Sequence, residues 1–329
     1  MKVRIVCYEG AGKWILGKFA RKMQEHLVKL GVECDIDTKP SDAMDVNHHI
    51  IFLNYKGKRH SKVETLMITH IDSTMKLSQL IAQEDAYDTG VCMSKETMDK
   101  LIKGGVKSSK LTYILPAHDE VMKPRKLILG ITSKTHNDGR KKEDTLVTIC
   151  RHIPKEDFSF KIMGAGWTGI VAEMRQLGFE VEYFEEFDYD TYVAMMPTLD
   201  YYLYMSFDEG SMGFIDAVAA GVQTIVTPQG YHLDAPGTIT HSVSNHHDII
   251  RVLNEIADKR KTFVDSVSEW TWENYAKNHL MLWNRLLGKP TAEIEINEPI
   301  QHLKRPVKML YIINSFFYKT AKKIFGKKS

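Results

Sequence analysis

Apolar positions along the chain follow two alternating rhythms. Short runs of aliphatic and β-branched residues alternate with longer stretches in which apolar residues return every three or four places. The first run, residues 2–7, ends in Glu9-Gly10-Ala11-Gly12. Over residues 14–30 the period lengthens, and Ile15, Phe19, Met23, Leu27 and Leu30 share one helical face. Gly31 supplies a stop, and residues 32–36 resume a strand pattern. Strand, glycine loop, helix and strand make one βαβ unit. Residues 49–53, 65–69, 89–93 and 111–115 read as further strands, so the first half predicts a parallel α/β domain.

Residues 116–124 are polar and bounded by prolines, as in an interdomain linker. A second series then begins with a strand at 127–131. Strands at 160–163, 181–184, 201–205 and 224–227 are separated by helices near 144–152, 168–177, 189–196 and 211–220. Two late helices are expected at 247–258 and 271–287. The fold class is therefore α/β, with two Rossmann-like doubly wound domains. The expected boundaries are 1–122 and 123–287, followed by a connector and basic tail over 288–329. Paired domains of this kind place ligands at the carboxyl ends of their strands, in the cleft between them.

Composition narrows the class. With 43% apolar and 26% charged residues, the chain reads as globular. A net charge of +2 is too small for a general nucleic-acid binder, so no nucleic-acid partner is expected. The four cysteines, Cys7, Cys34, Cys92 and Cys150, lack metal or disulfide spacing, which fits a cytoplasmic protein. No signal peptide or transmembrane run is expected. The charge is uneven, however. Residues 304–329 hold eight Lys or Arg and no acid, leaving net −6 elsewhere, the whole chain's +2 less the tail's +8.

The stretch SFDEGSMGFIDAVAAGVQTIVTP, residues 206–228, carries the clearest chemistry. Asp208 and Glu209 end a strand, Gly210 to Gly213 turn, and a helix begins near Ser211 or Met212. Backbone N–H groups at such a helix start bind anions, so Gly210, Ser211 and Met212 are candidate diphosphate holders. Ionised carboxylates only accept hydrogen bonds, which suits Asp208, Glu209 and Asp216 to sugar or ribose hydroxyls. The alternative is that Ser211 or Asp208 merely caps the helix and Asp216 is solvated.

The same stretch resembles the donor-site signature of GT-B glycosyltransferases, especially the family-4-like group. Other segments match in order: Gly10-Ala11-Gly12 with Trp14, 67–72, 92–94, 113–119, 160–166 and 270–273. The resemblance covers about residues 1–287. It implies a hexosyltransferase-type enzyme that moves a sugar from a nucleotide-sugar to a glycan or lipid-linked glycan, retaining configuration and using no metal or other cofactor. In that alignment the family's paired glutamates fall on Asp208 and Asp216, with Glu209 an extra acid. The arginine that often follows the glycine of the first donor strand is replaced by Ile131. Lys141 matches the family's loop lysine, Lys134 or Arg140 stands in for the arginine, and Gly12 and Gly166 lie in the two glycine loops.

His70 and Asp72 are the candidate base of an inverting reaction. His70 could equally position the donor sugar, or be a buried histidine bonded to backbone. Asp188-Tyr189-Asp190 has D-x-D spacing but precedes a helix, so it reads as a cap rather than a metal site. Two other readings use the same architecture, a nucleotide-sugar 2-epimerase and a non-catalytic partner subunit. In the tail, Leu310, Ile313, Phe317, Ala321 and Ile324 fall at helical spacing among lysines. That pattern predicts a peripheral helix on the inner face of a membrane, or a helix docked on the body.

Overall fold

A computed structural model describes residues 1–290 apart from Lys13, Asn137, Asp208, Glu209 and Pro236. The amphipathic helix expected in the tail, residues 304–329, lies outside the described residues. Met1–His279 forms one compact unit and contains two six-stranded sheets, parallel throughout.

The first sheet is built from β1 (Lys2–Val6), β2 (Glu33–Asp37), β3 (Val46–His49), β4 (Val63–Ile68), β5 (Thr89–Cys92) and β6 (Leu111–Tyr113). Its order is β2-β1-β3-β4-β5-β6. Helices α1 (Trp14–Lys29), α2 (Thr74–Ala82) and α3 (Lys95–Lys103) cross between strands. Ser73 and Ser94 start α2 and α3 by accepting the backbone N–H three residues on, at Lys76 and Thr97. Neither of these helices was expected from the apolar spacing.

One strand is shifted from expectation. The apolar run 50–53 leaves the sheet, with Phe52–Asn54 in a 3-10 turn, while the polar Asn47, His48 and His49 lie in β3 and are fully buried. The cause is cross-strand pairing. The Asn47 amide donates to Glu64 at 3.0 Å, His48 meets Thr65 at 2.9 Å, and His49 meets Glu64 at 2.6 Å.

The second sheet contains β7 (Leu127–Thr132), β8 (Phe158–Met163), β9 (Glu180–Phe184), β10 (Tyr201–Tyr204), β11 (Gln223–Val226) and β12 (His241–Ser242). Its order is β12-β11-β10-β7-β8-β9. The intervening helices are α4 (Thr145–Cys150), α5 (Thr168–Gln176), α6 (Tyr189–Met195) and α7 (Met212–Ala219). α8 (His246–Asp265) and α9 (Trp272–Leu286) follow β12. Alternation along β10 feeds two cores. Leu203 packs with Leu129, Phe160, Leu146 and Val171, whereas Tyr202 and Tyr204 pack with Phe214 and Ala217. Both faces of this sheet are thus covered, as a doubly wound fold requires.

After β12 the chain returns to the first sheet's layer. The Trp272 indole donates to Asp119 at 3.1 Å and meets the Phe19 ring edge-on at 5.0 Å, and Tyr275 lies 5.7 Å from Phe19. From Leu280 the described residues are the last turns of α9 and a turn through Gly288.

Candidate functional site

In the second sheet β7 leads to β8 on one side, and the chain later returns to β10 on the other. The strand order reverses between β7 and β10, and a crevice opens there at the strand carboxyl ends. A cavity of about 640 Å³ occupies this end of the sheet. Thr132, Ser133 and Lys134 line it from the end of β7, and Met163, Gly164 and Ala165 from the end of β8. Ser211, Met212, Gly213 and Asp216 line it from α7. Glu185, Glu186 and Phe187 after β9, with Tyr189 and Tyr192 of α6, close the far end.

The start of α7 is held by a chain of hydroxyls. Ser211 sits at the N-cap in extended backbone but makes no side-chain cap bond. Its hydroxyl meets the Tyr202 hydroxyl at 2.6 Å, which meets Thr132 Oγ1 at 2.9 Å. This corrects the capping alternative for Ser211, since its side chain bonds to Tyr202 and makes no cap bond, while the residue lines the cavity. Its backbone N–H is taken as well, donating to His232 Nε2 at 3.1 Å. Helix geometry leaves the N–H groups of Met212 and Gly213 without intrahelical acceptors, and these line the cavity. Gly213 is required by close approach, because a Cβ there would fall on Thr132 Oγ1 and the Tyr202 hydroxyl. Gly210, at φ 118, turns the chain into Ser211, and its own Cβ would lie 2.9 Å from His232 Nε2. Asp216 is half-buried one turn on, and Tyr192 donates its hydroxyl to Oδ2 at 2.5 Å. Burial, then this carboxylate, pushes the Tyr192 hydroxyl pKa up, so it remains a donor.

The three candidate cations separate. Lys134 lines the cavity. Arg140 instead pairs with Asp138 at 3.3 Å and meets His136 at 2.9 Å, while its carbonyl accepts from Ser206 Oγ at 3.0 Å and Phe207 N at 3.2 Å. Its backbone therefore ties the β7 loop to the end of β10. Lys141 donates to the Tyr204 hydroxyl at 3.4 Å and lies 5.2 Å from that ring's centroid. Neither Arg140 nor Lys141 is among the cavity's lining residues. Gly166 lines a neighbouring cavity of about 680 Å³ with Thr135, His136 and Lys142. Asp208 and Glu209 lie outside the described residues.

On the first sheet, His70 and Asp72 come together in the turn before α2. His70 Nε2 is 3.8 Å from Asp72, and Lys76 is 2.8 Å from the same carboxylate. The Lys76 hydrogen bond holds the Asp72 carboxyl below its usual range. The His70 side chain is 66% exposed, which rules out the reading of a buried histidine. Gly12 is exposed, and nearby Trp14 takes a left-handed backbone (φ 61) with 82% of its surface open. Asp188 accepts from Thr191 N at 2.8 Å, capping α6 as its position before a helix predicted. Among the described residues, no three His, Cys, Asp or Glu side chains gather as metal ligands.

A buried network that local sequence does not signal lies at the first sheet's own strand reversal, where Tyr8 follows β1 and His49 ends β3. His49 Nε2 faces Glu64 Oε2 at 2.6 Å, and Nδ1 faces the Tyr8 hydroxyl at 2.9 Å. A proton on Nε2 satisfies the carboxylate and leaves Nδ1 to accept from Tyr8. The other Glu64 oxygen accepts from Asn47, Ser61 and the His60 backbone. Nothing in the local pattern of H-H-I-I singles out these residues, because their partners are 15 and 41 positions away.

No family model matches the chain, and no curated protein sequence matches it. Solved structures do resemble it. Among them is HepE from Anabaena in complex with UDP-glucose, at 10% identity and a TM-score of 0.34, covering 88% of this chain and 96% of that one. A sucrose-phosphate synthase from Thermosynechococcus elongatus gives 12% identity and a TM-score of 0.35, over 87% of this chain and 99% of that one. A glycosyltransferase from Rickettsia africae gives the same identity and TM-score over 87% and 98%. Likeness of this degree assigns neither ligand nor reaction to the present chain, so the site is read from its own geometry.

Proposed function

We propose that the protein is a glycosyltransferase that takes a nucleotide-sugar at the β7/β10 crevice and transfers the sugar to a glycan or lipid-linked glycan. One observation carries this reading. A single cavity at the strand reversal is lined by Met212 and Gly213 at the start of α7, by Lys134 and by Asp216. Backbone N–H groups and a lysine suit the diphosphate, while a carboxylate accepts from ribose hydroxyls. The motif order from Gly10 to Glu273 supports the same reading.

In this account the bond from the anomeric carbon to the diphosphate oxygen breaks as a bond to the acceptor oxygen forms. Charge developing on the leaving phosphate is met by the α7 N-terminus and Lys134, which lie ready before the reaction. The acceptor hydroxyl proton passes to the leaving phosphate oxygen, and configuration is retained. The first sheet offers the acceptor side, with the aligned Tyr8 hydroxyl and the exposed His70. The basic segment 304–329 would bring the protein to an anionic membrane where a lipid-linked acceptor lies.

The test is release of the free nucleotide (UDP, GDP, ADP or CMP) from a panel of the four corresponding nucleotide-sugars, with membrane extract as acceptor source and with EDTA present. One donor should be consumed, and removing residues 304–329 should cut turnover on liposome-bound acceptor while leaving donor binding intact. Consumption of none of the donors by folded protein would refute the transferase reading.

A further inference from the structure

The far end of the cavity carries a chemistry that the diphosphate and ribose do not use. Glu185, Glu186 and Phe187 follow β9, and β9 lies two strands from β7. Two strand spacings amount to about 10 Å. That is on the order of the reach from a diphosphate to the base edge of an extended nucleotide. Asp216 also lines this cavity, its Oδ2 already fixed by Tyr192.

Both glutamates are exposed, and among the described residues neither has an ion-pair or hydrogen-bond partner. Two carboxylates beside the seat of an anionic ligand repel it unless they meet hydrogen-bond donors. Phe187 and Tyr189 are 65% and 67% exposed and supply aromatic surface at the same end, and Phe187 lies 5.4 Å from the Tyr192 ring. Aromatic rings hold any base by its face, so the edge must select.

The nucleobases differ at that edge. Guanine presents two adjacent donors, N1–H and the 2-amino group, which match the two oxygens of one carboxylate. Uracil presents one N–H between two carbonyl oxygens, so a carboxylate gains one bond and faces a second lone pair. Adenine offers its 6-amino group beside an acceptor nitrogen.

Building on the donor-site reading above, we propose that the base is guanine. The co-substrate is then a guanosine diphosphate sugar, selected by the Glu185–Glu186 pair with Phe187 and Tyr189 as its stacking surface.

The experiment is calorimetric titration of the full chain with GDP, UDP and inosine diphosphate, the last being GDP without the 2-amino group. GDP should bind at least tenfold tighter than either of the others. In the E185Q/E186Q double variant the GDP preference over inosine diphosphate should fall to within threefold, with the melting temperature unchanged because both side chains are exposed. UDP binding as tightly as GDP would overturn the base assignment and leave the donor site standing, and a double variant with the wild-type GDP preference would overturn selection by the glutamate pair. Binding of none of the three would overturn the donor site and the base assignment with it.

Discussion

Glu64 shows what single residues contribute. Its side chain is fully buried, and burial alone would raise its pKa. Hydrogen bonds from His49 and Asn47 and from the Ser61 and His60 backbone outweigh that and hold it down to about 2, from an ordinary 4.5. A carboxyl depressed in the folded state adds stability that is complete above the unfolded value and is lost as pH falls towards 2. The contribution is on the order of 3 kcal/mol. Urea midpoints should therefore drop between pH 5 and pH 2, and Glu64→Gln should flatten that dependence while lowering the midpoint at pH 7. A variant as stable as wild type at pH 7 would contradict this role. Of the residues that line the cavity, Met212 and Asp216 were legible as candidates because they belong to one contiguous stretch of sequence, whereas Gly210 is not among the lining residues. Ser211 was legible as a position but not in its partner, since the hydroxyl that claims it, Tyr202, belongs to a strand nine residues earlier. Tyr8, Glu185 and Glu186 were missed for the same reason, as each acquires its setting only from the tertiary fold.

At the scale of elements, α7 is seated by contact rather than by a cap. Thr132 of β7, Tyr202 of β10 and Ser211 form a hydroxyl chain under the helix start, and Gly213 leaves room for it. Gly213→Ala should force the helix away from the two strands, costing about 1–3 kcal/mol in a close-packed setting. The variant should also weaken nucleotide binding, because the N–H groups of Met212 and Gly213 move with the helix. Unchanged denaturation midpoint and unchanged nucleotide affinity would both count against this seat. Most strands and helices of the two sheets were readable from periodicity, since buried parallel strands leave apolar runs and helices leave apolar faces. β3 was not, because its buried positions are Asn47, His48 and His49, whose compensating partners lie on β4. α2 and α3 escaped for a different reason. They are nine residues each, and Leu80 and Leu101 are their sole buried side chains, so the apolar period is too short to read.

At the scale of the whole molecule, each sheet has one strand reversal with chemistry at its carboxyl end. The first has Tyr8 after β1 and His49 at the end of β3, tied to Glu64 near the start of β4, and the second has the cavity between β7 and β10. The chain then returns through Trp272 and Tyr275 to the Phe19 side of the first sheet. Among the described residues, no helix is long and apolar enough to cross a membrane. The central claim is that a nucleoside diphosphate occupies the second reversal. Hydrogen–deuterium exchange with and without the nucleotide tests it most directly, because amides that bind phosphate or are covered by ligand exchange more slowly. The account predicts slowed exchange at residues 133–135, 163–165 and 211–214, with residues 8–12 unchanged by nucleotide alone. Protection confined to residues 8–12, or none in the second sheet at saturating nucleotide, would contradict it.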